Sequence, residues 1–152
     1  MLTRTSQTPV NLPAKPSRSR PASVVFDLLD PIPFGLFVAA LIFDIVYGRT
    51  AEILWIKSAA WLITIALLFA VVPRLINLVR VWFPGARARQ PGEIASFWMT
   101  LLGLAAAIVN AFVHTRDAYG TMPDGVLLSL VTVALLIAAR IVVTLQRSKV
   151  EA

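Results

Sequence analysis

The chain has 152 residues, of which 58% are hydrophobic and only 14% charged, and its mean hydropathy is +0.78. Soluble domains carry about 25% charged residues, so the composition predicts that lipid surrounds most of this chain. The chain has no cysteine, which excludes disulfides, thiol chemistry, iron–sulfur ligation and covalent haem attachment through a C-x-x-C-H motif. The net charge is +6, but the basic residues lie between the apolar runs, and this distribution does not favour nucleic-acid binding.

Four apolar runs follow a polar N-terminal segment. Residues 1–23 combine prolines with serine, threonine and basic residues, which predicts a disordered tail. Residues 24–147 form the predicted membrane domain, with spans at about residues 31–47, 53–72, 94–114 and 125–145, and residues 148–152 form a short C-terminal tail. At 1.5 Å per residue the first run reaches about 25 Å, the short end of what a bilayer core requires. The second run is expected to cross before Pro73, after which polar positions project into the headgroups.

Short connections between these runs predict an all-α membrane protein, with four transmembrane helices in an up-down-up-down bundle. Of the 14 lysines and arginines, three lie in the two hairpin connections: Arg49, Lys57 and Arg116. The others lie in the tail, the middle loop region and the C-terminal end. The positive-inside rule therefore predicts that both termini face the cytoplasm and that the two hairpin connections face outward.

The third run carries a stripe of small and polar residues at helical spacing, namely Ser96, Gly103, Ala107, Asn110 and His114. Small residues let helix backbones approach closely in lipid, and polar residues on the same face favour a position inside the bundle. The spacing of Gly103, Ala107 and Ala111 suits an internal contact or a contact between two copies of the chain. Homo-oligomerisation is therefore left open.

Polar side chains gather at the outward end of the predicted bundle. The candidates for docking a partner or binding a ligand are Asp44, Lys57, Asn110, His114, Arg116 and Asp117. Charges at membrane depth usually pair, so we expect Asp44 to neutralise Lys57 across the first hairpin; the alternative makes them part of a proton or substrate site. The only histidine, His114, is expected to bond to a loop carbonyl or to Asp117, and its alternative role is docking or ligand binding.

No resident cofactor or metal is predicted. A haem b site with two imidazoles would need Met122 or a second protomer to supply the ligand that His114 alone cannot. One histidine with scattered carboxylates also lacks metal-ligand spacing, and no G-x-S-x-G elbow accompanies the serines. The chain is therefore predicted not to be an enzyme, while haem b and quinone stay as alternative ligands.

Three stretches resemble a bacterial family of four-helix membrane proteins that is classed as a domain of unknown function. They are Ile32–Phe37 leading to Phe43-Asp44, then Thr50–Trp55 with Trp61-Leu62, and above all Asn110–Tyr119. The branch concerned is found fused to or beside sorbosone-type quinoprotein dehydrogenases. The chain departs from the pattern at Asp30-Pro31, where relatives often show His-Pro, and in the middle loop, where relatives often have a further histidine.

The resemblance implies a multi-pass protein of the bacterial inner membrane. Together with the polar outward end, it favours a non-enzymatic module that anchors or docks a periplasmic quinoprotein dehydrogenase or its electron acceptor, such as a cytochrome. One alternative is a redox module that passes electrons to quinone in a cleft between the first and third spans. Another is a small proton-coupled transporter with Asp44 as the proton carrier.

Overall fold

Four long helices account for most of the computed structural model, which describes residues 28–82, 92–116 and 118–151. They are α1 (Pro31–Thr50), α2 (Ile53–Trp82), α3 (Glu93–Val113) and α4 (Asp124–Glu151), with a short 3-10 turn at Ala118–Gly120. Each of these four contains a stretch long and apolar enough to cross a membrane. The predicted all-α, four-span fold is confirmed, whereas the tail predicted for residues 1–23 lies outside the described residues.

Two helices extend well beyond their predicted spans. α2 continues through Pro73 to Trp82, and Pro73 is almost fully buried. Proline is tolerated inside membrane helices because neighbouring helices and local adjustments satisfy the carbonyl group that it leaves without a partner. α4 continues to Glu151, so residues 148–151, predicted as a tail, are helical. At the start of α1, Asp30 occupies the N-cap position and proline falls in the first turn, where its fixed backbone angle suits the helix.

The helices form a ring in which each packs against the next helix in the chain and α4 packs against α1. Small alanines from three helices meet larger apolar residues in the core: Phe37, Ala40, Ala59, Ile63, Ala66, Ala107, Val133 and Leu136. Gly103 of α3 lies against α4, where an added Cβ would come within 3.4 Å of Leu135 and Leu136. The small-residue stripe of α3 therefore makes an internal contact between helices.

The bundle has two ends. We call the end that carries residues 51–52 and 114–123 the hairpin end, and the end that carries Asp30 and the last turns of α4 the terminal end. Asp44 stands about 21 Å along α1 from Asp30, which is less than the thickness of a bilayer core. Most outward-facing side chains between these ends are apolar, and some are largely exposed, for example Trp61 at 69% and Leu68 at 68%, as expected for contact with lipid.

Candidate functional site

Asp44 is a carboxylate with no exposure at all, because it lies on the face of α1 that packs into the bundle. The buried positions of this helix are spaced by three or four residues, as one helical face requires: Pro33, Phe37, Ala40, Asp44 and Tyr47. An ionised carboxylate in such a place is costly unless it is paired and hydrogen-bonded. The partners of Asp44 come from two other helices.

The first partner is His114, which directly follows the last residue of α3 and caps that helix. Its Nε2 lies 2.8 Å from Oδ1 of Asp44, and its Nδ1 lies 2.9 Å from the backbone carbonyl oxygen of Asn110. The side chain of His114 is only 1% exposed. Both ring nitrogens are therefore occupied inside the protein.

The second partner is Ser129 of α4, whose hydroxyl donates a hydrogen bond to Oδ2 of Asp44 over 2.5 Å. The side-chain amide of Asn110 donates in turn to the Ser129 hydroxyl oxygen over 2.7 Å. We call Asp44, Asn110, His114 and Ser129 the Asp44 network. It ties α1, α3 and α4 together through buried polar groups, and the Asn110 Oδ1 atom retains an acceptor position that no described residue fills.

The hydrogen-bond pattern fixes the number of protons that the network holds. The carbonyl oxygen of Asn110 can only accept, so Nδ1 of His114 must carry a proton. Nε2 of His114 and Oδ1 of Asp44 then attract each other only if one further proton lies between them. That proton sits on the ring with an ionised carboxylate, or on the carboxyl group with a neutral ring, and the net charge of the pair is zero either way.

Loss of that proton is unfavourable while the pair stays buried. It would leave a carboxylate charge without a counter-charge and two lone pairs facing each other. Burial by itself lowers the pKa of His114, but the hydrogen bond and the charge of Asp44, together with the Asn110 carbonyl, outweigh it, so the pKa lies above its ordinary value. The pair is thus a one-proton site.

The close fit of His114 depends on a glycine in the first turn of α4. A Cβ added to Gly125 would lie 3.1 Å from Cε1 of His114 and 3.0 Å from Cγ2 of Thr121. Both distances are shorter than ordinary van der Waals contact. Gly125 therefore allows α4 to approach the imidazole closely enough for Ser129, one turn further on, to reach Asp44.

A cavity of about 360 Å³ opens beside the network at the hairpin end. Its wall consists of Ile53, Ile56, Lys57, Ala60, His114, Arg116, Ala118 and Thr121. Lys57 and Arg116 are exposed and bring positive charge to its wall. His114 is the only network residue among the described residues that line the cavity, and Ala40 and Phe37, one and two turns before Asp44 on α1, belong to the apolar core.

The expected pairing of Asp44 with Lys57 is wrong. Asp44 pairs with His114 and Ser129 instead, and Lys57 is exposed on the cavity wall. Asn110, like Asp44 and His114, is buried, so these three side chains are not available to the surface of a docked partner. The Arg116 side chain is 60% exposed, with one of its nitrogens 3.9 Å from Asp124, and Asp117 lies outside the described residues.

Ser129 is the network residue that the sequence did not single out. Its signal was the helical spacing of the buried positions in the first half of α4, which include Gly125, Ser129, Thr132, Val133 and Leu136. Two of these five are hydroxyl residues facing inward from a largely apolar helix. A hydroxyl one turn after a glycine, on the inward face, is typical of a polar contact between membrane helices.

No protein-family model, curated protein or solved structure matches the chain. The resemblance to the quinoprotein-associated family therefore stays a prediction. Within the described residues, no group of three or more histidine and acidic side chains is arranged to hold a metal ion. What the site can do chemically must be inferred from the proton held between Asp44 and His114.

Proposed function

We propose that this protein is a small proton-coupled transporter of the inner membrane, in which the Asp44 network binds and releases the transported proton. The observation that carries the proposal is the buried Asp44–His114 pair, whose hydrogen bonds require one shared proton. Ionisable residues within membrane helices are costly and rare, and they mark proton relays and substrate pathways by default. Histidine is also the side chain whose ordinary titration falls near neutral pH.

The surroundings of the pair support an exchange of the proton from one side. The cavity lined by His114 and Lys57 gives access from the hairpin end, which the distribution of basic residues predicts to be the periplasmic side. Towards the terminal end, Phe37, Ala40 and Ile63 belong to the buried apolar core. A transporter that alternates its access keeps its site closed on one side in this manner, and release to the other side requires the helices to separate there.

Proton flux into liposomes tests the proposal. Wild-type protein is reconstituted with a pH indicator trapped inside, and a potassium gradient with valinomycin imposes an inside-negative potential. Wild type is expected to acidify the interior faster than protein-free liposomes do, whereas Asp44→Asn, which cannot release a proton from this position, is expected to match the protein-free rate.

The control is Thr64→Ala, which removes an exposed hydroxyl of α2 and leaves every residue of the Asp44 network in place. This variant is expected to retain flux above the protein-free rate. Equal flux in wild type and Asp44→Asn, or no flux in wild type, would show that the network only joins the helices, as polar residues in membrane bundles also do.

A second candidate is the docking of a periplasmic quinoprotein dehydrogenase or its electron acceptor at the hairpin end. It is favoured by exposed charges around the cavity mouth, at Lys57, Arg116 and Asp124. Co-purification of such a dehydrogenase with the wild-type protein is expected to be lost in the double variant Lys57→Ala/Arg116→Ala and kept in Asp44→Asn. The reverse pattern, or no co-purification, would contradict docking and leave the transport proposal untouched.

A further inference from the structure

At the terminal end, two arginines share a single carboxylate. Nη2 of Arg74 lies 2.6 Å from Oδ1 of Asp30, and Nη2 of Arg140 lies 3.3 Å from Oδ2 of Asp30 and 3.1 Å from its backbone oxygen. The guanidinium of Arg140 also stacks over the ring of Phe34, 4.7 Å from its centroid. The cluster of Asp30, Arg74 and Arg140 therefore carries one positive charge in excess.

That charge adjoins an apolar groove between α2 and α3. The groove has a volume of about 310 Å³ and is lined by Leu67, Ala70, Val71, Arg74, Leu75, Leu78, Phe97, Leu101, Leu104 and Ile108. Arg74 thus belongs both to the charged cluster and to the wall of the groove, and every other lining side chain is apolar. From Leu67 to Leu78 the groove follows α2 for about 16 Å, roughly half the thickness of a bilayer core.

We propose that this surface binds one anionic phospholipid, with its phosphate against Arg74 and Arg140 and one acyl chain in the groove between α2 and α3. A single excess positive charge complements a headgroup with a net charge of −1, whereas a zwitterionic headgroup would bring its own ammonium next to the arginines. Guanidinium groups present several donors to phosphate oxygens, and basic pockets between membrane helices bind anionic headgroups. The site is separate from the Asp44 network and does not depend on the transport proposal.

Native mass spectrometry of the delipidated protein tests this assignment, with phosphatidylglycerol and phosphatidylethanolamine offered at equal concentration. Wild type is expected to bind phosphatidylglycerol about five-fold more tightly, and Arg74→Gln to lose that preference. The control Arg49→Gln removes an exposed arginine at the hairpin end and is expected to leave the preference unchanged. Inorganic phosphate is expected not to compete, because it has no chain to fill the groove.

Asp30→Asn separates lipid binding from a merely structural salt bridge. Arg74→Gln and Asp30→Asn break the same ion pair, so a structural role would shift lipid binding in the same direction in both. If the cluster binds an anionic headgroup, Asp30→Asn instead raises the excess charge and strengthens the preference for phosphatidylglycerol, opposite to Arg74→Gln.

Filling the groove tests where the acyl chain lies. Leu101→Trp, on the groove wall, is expected to weaken binding of both phospholipids. Equal affinity for the two lipids in wild type would overturn the proposal. So would a wild-type dimer that Leu101→Trp converts to monomer, because the groove would then be occupied by a second copy of the chain.

Discussion

Replacing Asp44 by asparagine should reproduce the proton-loaded pair in a form that cannot release its proton. The asparagine oxygen can accept the Ser129 hydroxyl as Oδ2 of Asp44 does, and its amide can donate to Nε2 of a neutral His114. All existing hydrogen bonds are kept, so we expect Asp44→Asn to lower the free energy of unfolding by no more than about 1 kcal/mol. Asp44→Ala leaves His114 and Ser129 without their buried partner and is expected to cost about 3–5 kcal/mol.

The two proteins should then differ in how their stability depends on pH. Folded wild type holds one proton in the pair, and the unfolded chain loses the corresponding histidine proton near pH 6.5. Because the folded-state pKa of His114 is raised, the stabilisation is fully present below about pH 6.5 and is lost as the pH rises to the folded-state pKa. The slope is about 1.4 kcal/mol per pH unit within that window.

Asp44→Asn should show the opposite dependence. Its His114 stays neutral when folded because Nε2 accepts from the asparagine amide, whereas the unfolded chain takes up a proton below about pH 6.5. Its stability should therefore be constant above that pH and fall below it. Unfolding by a denaturing detergent between pH 5 and 9, followed by circular dichroism, measures both curves. Parallel curves for wild type and Asp44→Asn would refute the one-proton pair.

Three further substitutions probe the packing around the network and the first hairpin. Gly125→Ala places a Cβ 3.1 Å from Cε1 of His114 and is expected to lower the free energy of unfolding by about 1–3 kcal/mol, measured by the same denaturation; an unchanged value would contradict the close fit. Ser129→Ala leaves Oδ2 of Asp44 and the Asn110 amide without a partner, so it should lower the free energy of unfolding by about 1–3 kcal/mol. The control Thr64→Ala, on the exposed side of α2, should lower it by less. Ala51 has a left-handed backbone with φ of 55°, which glycine adopts more easily than alanine. Ala51→Gly should therefore raise the melting temperature and stabilise the chain by about 1 kcal/mol. A lower melting temperature would show that the turn has another conformation.

The number and positions of the helices could be predicted because each depends only on a local property, the length of an apolar run. Helix ends were harder to predict because they depend on surroundings that the chain meets only after packing. From the sequence alone, Pro73 predicts the end of a span, yet in the structure it is buried within α2. α4 also extends beyond its predicted end at residue 145, because polar residues can continue a helix into the headgroup region as readily as they can end it.

The members of the site could largely be predicted, but their pairing could not. Asp44, Asn110 and His114 were all singled out, and the inward stripe of α3 already placed the last two inside the bundle. Lys57 is the expected partner of Asp44 because the two charges lie on either side of the first hairpin and charges at membrane depth usually pair. Which partner Asp44 meets is decided by the rotation of α1 and α2 about their axes, and Lys57 turns outward to the cavity wall.

The choice of histidine over lysine as the partner of Asp44 changes what the pair can do. A lysine, with an ordinary pKa near 10.4, would form a fixed ion pair with Asp44 that keeps its proton throughout the physiological range. A histidine in the same place holds the shared proton less firmly than a lysine would, because the ordinary pKa of histidine, about 6.5, is far below that of lysine. Lys57 lines the same cavity as His114 and adds a permanent positive charge to its wall. Proton flux in wild type and Asp44→Asn discriminates between a transport role for this pair and a role in joining the helices.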